Sequence, residues 1–170
     1  MVDAGETCKD DPAKNGALFS DKQMVVTTKI LARNPQSVAI GDFNGDGWLD
    51  LVATPYEEDK IAWFKNTDGK GTFGQPIVVT TVSEDDNYAT IVAVGDFNGD
   101  GWLDLASSCG GGIDWYKNTD GKGTFGQQIV VTTKASYAAS IAVGDFNGDG
   151  WLDLASASGG TIAWYKNTDG

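Results

Sequence analysis

Short oxygen-bearing side chains recur at fixed spacing in the segment Gly-Asp-Phe-Asn-Gly-Asp-Gly-Trp-Leu-Asp-Leu, which occurs three times without change, at 41–51, 95–105 and 144–154. Counted from its first aspartate, each copy carries carboxylate or amide oxygens at positions 1, 3, 5 and 9. A tightly curled loop can turn such side chains toward one centre, and hard cations such as calcium take oxygen ligands. The loop glycines permit the curl, because they can adopt positive φ angles that a Cβ disfavours. The pattern therefore predicts a calcium loop in each copy.

The predicted ligands also include the backbone carbonyl at position 7, which belongs to a tryptophan in every copy. The three predicted sites, for three Ca²⁺ per chain, comprise Asp42, Asn44, Asp46, Trp48 and Asp50; Asp96, Asn98, Asp100, Trp102 and Asp104; and Asp145, Asn147, Asp149, Trp151 and Asp153.

Two other structures share parts of this pattern. An EF-hand opens in the same way, but it has a bidentate glutamate at position 12 and continues as a helix. Here position 12 is Ala53, Ser107 or Ser156, and short apolar runs typical of strands flank each loop. We therefore expect each loop to join two strands. The other alternative is a hairpin turn that binds nothing, although such a turn needs Gly and Asn but not three acids.

With these Asp-x-Asn-x-Asp-Gly-x-x-Asp loops between apolar strands, the chain resembles the calcium-binding FG-GAP/VCBS-type repeats of β-propellers. Members of that family occur in integrin α-subunits and in many secreted microbial and fungal proteins, including lectins. The resemblance covers residues 19–170. It implies an all-β fold, a structural role for calcium, and a location outside the cell or on its surface.

The spacing of the loops independently indicates one four-stranded antiparallel blade per repeat. Asp42 and Asp96 are 54 residues apart, and Asp96 and Asp145 are 49 apart; most helical repeats are shorter. The longer period reflects an insertion near 82–89. Predicted strands lie at 38–40, 51–53, 61–64 and 77–81; at 91–94, 105–107, 113–116 and 129–133; and at 141–143, 154–156 and 162–165.

The ends of the chain do not coincide with the ends of a blade. The third unit ends after its third strand, whereas residues 19–28 match the fourth strands of the other units. The predicted organisation is a polar tail at 1–18, an outer strand at 19–28, blade 1 at 29–81, blade 2 at 82–133, and blade 3 at 134–170 without its outer strand.

Three blades are fewer than the four to eight of known propellers. We therefore expect a homodimer in which the chains exchange the N-terminal outer strand and close a six-bladed ring, since symmetric homo-oligomers are common. The competing interpretation is a natural or engineered fragment of a longer propeller.

The six tryptophans divide into two groups. Trp63, Trp115 and Trp164 lie on third strands, where we expect them to fill the space between blades. The three loop tryptophans have rings that are free to cover the metal, pack on a neighbouring blade or stack on a sugar. The calcium loops and the identical Lys-Asn-Thr-Asp-Gly turns should share one face of the blades. The opposite face carries loops that differ between units, which suits either a ligand surface or sequence drift.

Composition excludes some partners. The net charge is −12 at pH 7, and nine of the 24 acids lie in the three loops; such a surface would repel nucleic-acid phosphates. No run approaches the roughly 18 apolar residues of a membrane span, and no signal peptide is recognisable. Cys8 and Cys109 could pair, but two cysteines do not establish a disulfide framework.

The function that these observations favour is a calcium-dependent binding module for a carbohydrate or a protein, similar to a lectin or an adhesion domain. The alternative is a structural or designed propeller whose only ligand is calcium. Enzymatic activity, for example as a polysaccharide lyase, is not expected, because the chain has no histidine and no recognisable nucleophile–base pair.

Overall fold

Regular structure in this computed structural model consists of β-strands throughout the residues it describes, which are 23–26, 35–55, 60–81, 89–109, 111–135 and 137–169. The strands are β1 (Pro35–Gly41), β2 (Asp50–Pro55), β3 (Lys60–Asn66), β4 (Phe73–Thr81), β5 (Ala89–Gly95), β6 (Asp104–Cys109), β7 (Gly112–Tyr116), β8 (Ile129–Thr132), β9 (Ser140–Gly144), β10 (Asp153–Ser158) and β11 (Thr161–Tyr165). No helix long and apolar enough to cross a membrane occurs in the described ranges.

The strands form three antiparallel sheets in which each strand pairs with its neighbours along the chain. Blade 1 is β1-β2-β3-β4, blade 2 is β5-β6-β7-β8, and blade 3 is β9-β10-β11. These sheets confirm the eleven strands predicted within the three repeats and the all-β, propeller-like fold. Because β2, β6 and β10 begin at position 9 of each acidic loop, the loop joins two strands, and the EF-hand alternative is wrong.

The predicted outer strand at 19–28 falls mostly outside the described residues, as do the tail 1–18 and the insertion at 82–88. Its described part, 23–26, is not in a strand. Met24 and Val25 instead line a surface pocket together with Val38 and Leu51 of blade 1. Within the described ranges β11 pairs only with β10, so exchange of this segment between two chains remains a prediction.

Neighbouring blades bury two apolar clusters between them. The face of each blade that contacts the next blade along the chain is called its trailing face, and the opposite face is its leading face. Between blades 1 and 2, the trailing-face residues Phe43, Ile61 and Trp63 pack with Leu105 and Tyr116 of blade 2. The second cluster repeats this arrangement between blades 2 and 3, with Phe97, Ile113 and Trp115 packed against Leu154 and Tyr165.

A glycine in each trailing face allows the next blade to approach closely. A Cβ built on Gly41 would lie 2.7 Å from Cδ1 of Leu103, and one built on Gly95 would lie 3.1 Å from Cδ1 of Leu152. Leu103 and Leu152 occupy position 8 of their acidic loops. The acidic loop of one blade therefore packs its leucine onto the strand that enters the acidic loop of the preceding blade.

A repeated hydrogen bond also connects the blades. The side-chain amide of Asn118, on the turn after β7, donates to the carbonyl oxygen of Phe43 at 2.9 Å. Asn167 donates in the same way to the carbonyl oxygen of Phe97 at 2.7 Å. The equivalent residue of blade 1, Asn66, donates within its own blade to the carbonyl oxygen of Leu49 at 3.2 Å.

We expect Asn118→Ala to destabilise the protein by about 1 to 3 kcal/mol more than Asn66→Ala, because it alone leaves a buried carbonyl on the neighbouring blade without its donor. Both substitutions remove the bond to the carbonyl oxygen of the loop leucine and the bond from the amide of the turn glycine, so Asn66→Ala is the matched control. Urea denaturation of the two variants measures the difference. Equal losses of stability would show that the bond to Phe43 contributes nothing to blade packing.

Candidate calcium loops

The first aspartate of each acidic loop accepts hydrogen bonds from backbone amides of the same loop and so stabilises its curl. Oδ1 of Asp42 accepts a hydrogen bond from the amide of Gly45 at 2.8 Å, and Oδ2 accepts one from the amide of Gly47 at 2.7 Å. These glycines have φ angles of 71° and 85°, which a Cβ would disfavour. The same curl, with both glycines at positive φ, occurs in the other two copies.

The ninth-position aspartates, Asp50, Asp104 and Asp153, are fully buried where the loop meets the sheet. Asp104 accepts hydrogen bonds from the backbone amides of Asn118 at 2.8 Å and Phe97 at 3.3 Å. Its carboxylate thus ties the acidic loop to the turn after β7. Burial raises the pKa of Asp104 to about 6, although these two amides favour its charged form.

The fifth-position aspartates each pair with a lysine from the turn after the third strand. The Nζ–Oδ2 distances are 3.0 Å for Lys65 and Asp46, 3.0 Å for Lys117 and Asp100, and 3.1 Å for Lys166 and Asp149. The hydrogen bond from Lys65 is the largest cause that lowers the pKa of Asp46. Each acidic loop therefore holds a fixed positive charge beside one of its predicted metal ligands.

The donor chemistry of the loops fits calcium. Every predicted ligand atom is an oxygen, as a hard cation prefers, and burial raises the pKa of Asp50, with the charges of Asp46 and Asp42 adding to the rise. A cation beside these three carboxylates would offset their mutual repulsion. In the described ranges, however, no three acidic, histidine or cysteine side chains gather closely enough to hold a metal ion. The loops are closed instead by their own amides and by lysine, and the metal assignment remains a prediction.

Sequence reasoning missed the two side chains that connect the acidic loop to its surroundings, the lysine and the asparagine of the Lys-Asn-Thr-Asp-Gly turn. The sequence predicts that this turn lies on the same face as the acidic loops, but it does not predict which of its side chains contact them. The available signal was its identity in all three units, since an Asp-Gly turn does not require the same lysine and asparagine each time.

The third-strand tryptophans behave as expected where a further blade covers them. Trp63 is 3% exposed, and Trp115 packs in the second apolar cluster. Trp164 is 50% exposed, because no described blade covers the trailing face of blade 3.

The loop tryptophans lie over turn or loop glycines. The indole nitrogens of Trp48 and Trp102 approach Gly69 and Gly121, where a built Cβ would lie 2.7 and 2.5 Å away. The ring of Trp151 lies over Gly99 of the preceding blade. These contacts confirm that acidic loops and Asp-Gly turns share one face of the blades.

The end of the blades opposite the acidic loops carries the loops that differ between units and is called the variable face. On blade 3 it carries an exposed aromatic side chain. Tyr137 is 71% exposed and is the only non-glycine residue with a positive φ angle, 53°, in the described ranges. A shallow groove of about 300 Å³ is lined by Tyr137, Gly159, Gly160 and Ile162, among others. A positive φ angle is uncommon for a tyrosine, and residues in such conformations are frequent at ligand-binding sites.

Cys109 is buried at the end of β6 and forms no disulfide with any residue that the structure describes. Its sulfur lies 3.4 Å from Oγ of Ser107, and burial raises its pKa to about 11. A thiol held protonated in this way is a poor nucleophile at neutral pH. Cys8, the possible disulfide partner, lies outside the described residues.

Comparison with known families assigns the repeats. The model of the FG-GAP-like repeat family matches residues 42–107 and 96–156. The two matches overlap and together span more than half of the chain. The chain belongs to the FG-GAP-like repeat family. Each match begins at the first aspartate of one acidic loop and runs through the acidic loop of the next blade.

Two solved structures share the fold of these FG-GAP-like repeats. A lectin from Agrocybe aegerita, described as recognising non-reducing terminal N-acetylglucosamine, is 22% identical, with a TM-score of 0.51 over 77% of this chain and 38% of the lectin. The Tc holotoxin pore of Photorhabdus luminescens is 23% identical, with a TM-score of 0.52 over 78% of this chain and 6% of that chain. This chain therefore spans well under half the length of either. A comparison with curated protein sequences found no match.

Proposed function

We propose that this protein is a calcium-stabilised β-propeller module that binds a carbohydrate or a protein and has no catalytic role. Three identical acidic loops at equivalent positions of three blades carry the proposal. One Ca²⁺ per loop would be held by the oxygens at positions 1, 3, 5, 7 and 9. There it supplies positive charge that fixes the loop against its sheet, and it activates no substrate.

The ligand surface in this proposal is the variable face, which is remote from the acidic loops. Tyr137 offers an exposed ring beside the groove of blade 3, which Ser158 and Thr161 also line, and aromatic rings with nearby hydroxyl groups suit a sugar. The lectin that shares the fold is described as recognising terminal N-acetylglucosamine, which makes this sugar the first ligand to test. Location outside the cell, where calcium is abundant, belongs to the same proposal.

A homodimer with exchanged outer strands is also proposed. It is supported by the free edge of β11 within the described ranges and by the match of 19–28 to the fourth strands. The alternative function is a structural assembly whose only ligand is calcium. The near-identity of the repeats favours it, because identical loops have not diverged toward separate tasks.

Binding to immobilised N-acetylglucosamine-terminated glycans and to a panel of other glycans, with calcium present, tests the proposed ligand class. We expect Tyr137→Ala to reduce retention at least tenfold with little change in melting temperature, because the side chain is exposed. Trp48→Phe is the matched aromatic substitution on the opposite face and should leave retention unchanged. Absence of retention on every glycan and on candidate extracellular proteins would favour the structural alternative. Loss of retention in Trp48→Phe alone would assign binding to the acidic-loop face.

A further inference from the structure

Parts of the two end faces of the three-blade stack expose positions that are at least partly buried where two blades meet. On the leading face of blade 1, Val38 is 64% exposed, whereas its counterpart Val92 is 6% exposed. Phe64, also on the leading face of blade 1, is 2% exposed and lines the pocket that Met24 and Val25 share. The open part of that face is therefore the part around Val38 and Leu49. On the trailing face of blade 3, Ile162 is 88% exposed, whereas its counterpart Ile113 is fully buried. An exposed apolar surface of this kind marks an interaction site.

Each end face carries one half of the contact that a loop leucine makes with a glycine where two blades meet. Leu49, on the leading face of blade 1, is 58% exposed, while the equivalent leucines pack onto Gly41 and Gly95 of the preceding blades. The glycine equivalent to these two is Gly144 of blade 3. A Cβ built there meets only the ring of Phe146, at 3.5 Å or more. The structure therefore contains an unfilled glycine position at one end and an unpacked leucine at the other.

The donor and the acceptor of the interblade hydrogen bond are likewise separated between the two end faces. In the described ranges Asn66 makes the bond within its blade but not the bond to a preceding blade. At the other end, Phe146 is the counterpart of Phe43 and Phe97, whose carbonyl oxygens accept that bond. Phe146 is 50% exposed and still forms the edge-to-face contact with Trp164 that Phe43 forms with Trp63. The receiving face is thus already arranged as it is between blades.

We propose that the leading face of blade 1 docks on the trailing face of blade 3 of a second copy of this chain. Leu49 then packs on Gly144 of the partner subunit, and the amide of Asn66 donates to the carbonyl oxygen of Phe146 of the partner subunit. This contact specifies the homodimer of the proposed function and rests on it. It is a head-to-tail contact, which two copies satisfy twice if the ring closes.

A second copy is the occupant because both halves of the contact belong to this chain and match the internal interfaces at the leucine–glycine contact and at the asparagine–phenylalanine hydrogen bond. An unrelated partner would have to reproduce the leucine, the asparagine amide and the apolar strand face in the same geometry. The internal interfaces show that these residue types pack and form the hydrogen bond when two blades meet.

Disulfide trapping between two single-cysteine variants tests this contact. In a background with Cys8→Ser and Cys109→Ser, Leu49→Cys and Gly144→Cys chains are mixed in equal amounts and oxidised gently. We expect a cross-linked product of twice 17.9 kDa from the mixture and little from either variant alone, because a head-to-tail contact brings position 49 near position 144 but not near itself. Disulfides need Cβ atoms about 3.5 to 4.5 Å apart, so random collision traps few.

Gly95→Cys with Leu152→Cys in one chain is the positive control, since these residues already pack between blades 2 and 3. It should lose its free thiols without a change in mass. A mixture that stays at 17.9 kDa while this control oxidises would overturn the proposal. Equal cross-linking of either variant with itself would overturn the head-to-tail arrangement. Calcium binding measured on the same samples separates the two proposals: bound calcium without cross-linking refutes the docking, and cross-linking without calcium refutes the calcium-dependent function.

Discussion

Substitution of the position-5 aspartate in all three loops, as Asp46→Asn, Asp100→Asn and Asp149→Asn, is expected to abolish the calcium-dependent rise in melting temperature. A ligand that binds only the folded state stabilises it by about 2.7 kcal/mol per site at 100 times its dissociation constant. For a chain of this size, 1 kcal/mol corresponds to roughly 2 to 4 °C. The unmodified protein should therefore lose roughly 15 to 30 °C on chelation, while the triple variant should show the same melting temperature with calcium and with EDTA.

The matched control carries the same charge change on the same face but outside the acidic loops, as Asp68→Asn, Asp120→Asn and Asp169→Asn. Asp68 and Asp120 accept turn hydrogen bonds that an asparagine oxygen can also accept. This control should retain the full calcium-dependent shift. The fifth-position substitutions also remove surface ion pairs with lysine, but such pairs contribute only about 0 to 1 kcal/mol each. If chelation leaves the melting temperature of the unmodified protein unchanged, the structural role of calcium is wrong.

Asp104→Ala is expected to destabilise the protein strongly, even in EDTA. Its side chain is fully buried and accepts two backbone amides, one from its own loop and one from the turn. Each buried donor left without a partner costs about 1 to 3 kcal/mol, so the loss should be about 4 kcal/mol. That is a large part of the roughly 5 to 15 kcal/mol that stabilises a typical domain.

Chemical denaturation in EDTA measures this effect without a contribution from metal. Asp104→Asn keeps an acceptor oxygen and should cost less than Asp104→Ala. Asp153→Ala removes equivalent bonds to Phe146 and Asn167, but beside the exposed face of blade 3, where water can replace them, and should also cost less. A loss below about 1 kcal/mol for Asp104→Ala would show that the ninth aspartate has no structural role apart from calcium.

The strands were predictable because each unit repeats the same alternation of apolar runs and turn residues, and acidic loops of identical length fix the register of the first two strands of each unit. The arrangement of blades was predictable only in part. The bond from Asn118 to Phe43 joins residues 75 positions apart, and nothing local in either segment indicates it. The contact of Leu103 with Gly41 also joins residues far apart in the sequence and depends on how the sheets stack.

The candidate site shows the same division. The types and spacing of its oxygens are properties of the sequence, as is the curl at Gly45 and Gly47, since glycine is the residue that accepts their φ angles. The burial of Asp104 and the pairing of Lys65 with Asp46 depend on a turn that arrives from the third strand. Those contacts require the folded blade, so spacing within the loop could not reveal them.

Calcium stoichiometry by equilibrium dialysis is the most direct test of the proposed function. The three acidic loops predict three Ca²⁺ per chain, falling to none when Asp46, Asp100 and Asp149 are replaced by asparagine together. Replacement in a single loop should remove one ion and leave two. A chain that binds no calcium at millimolar concentration would contradict the account. The loops would then be turns closed by their own amides and by lysine.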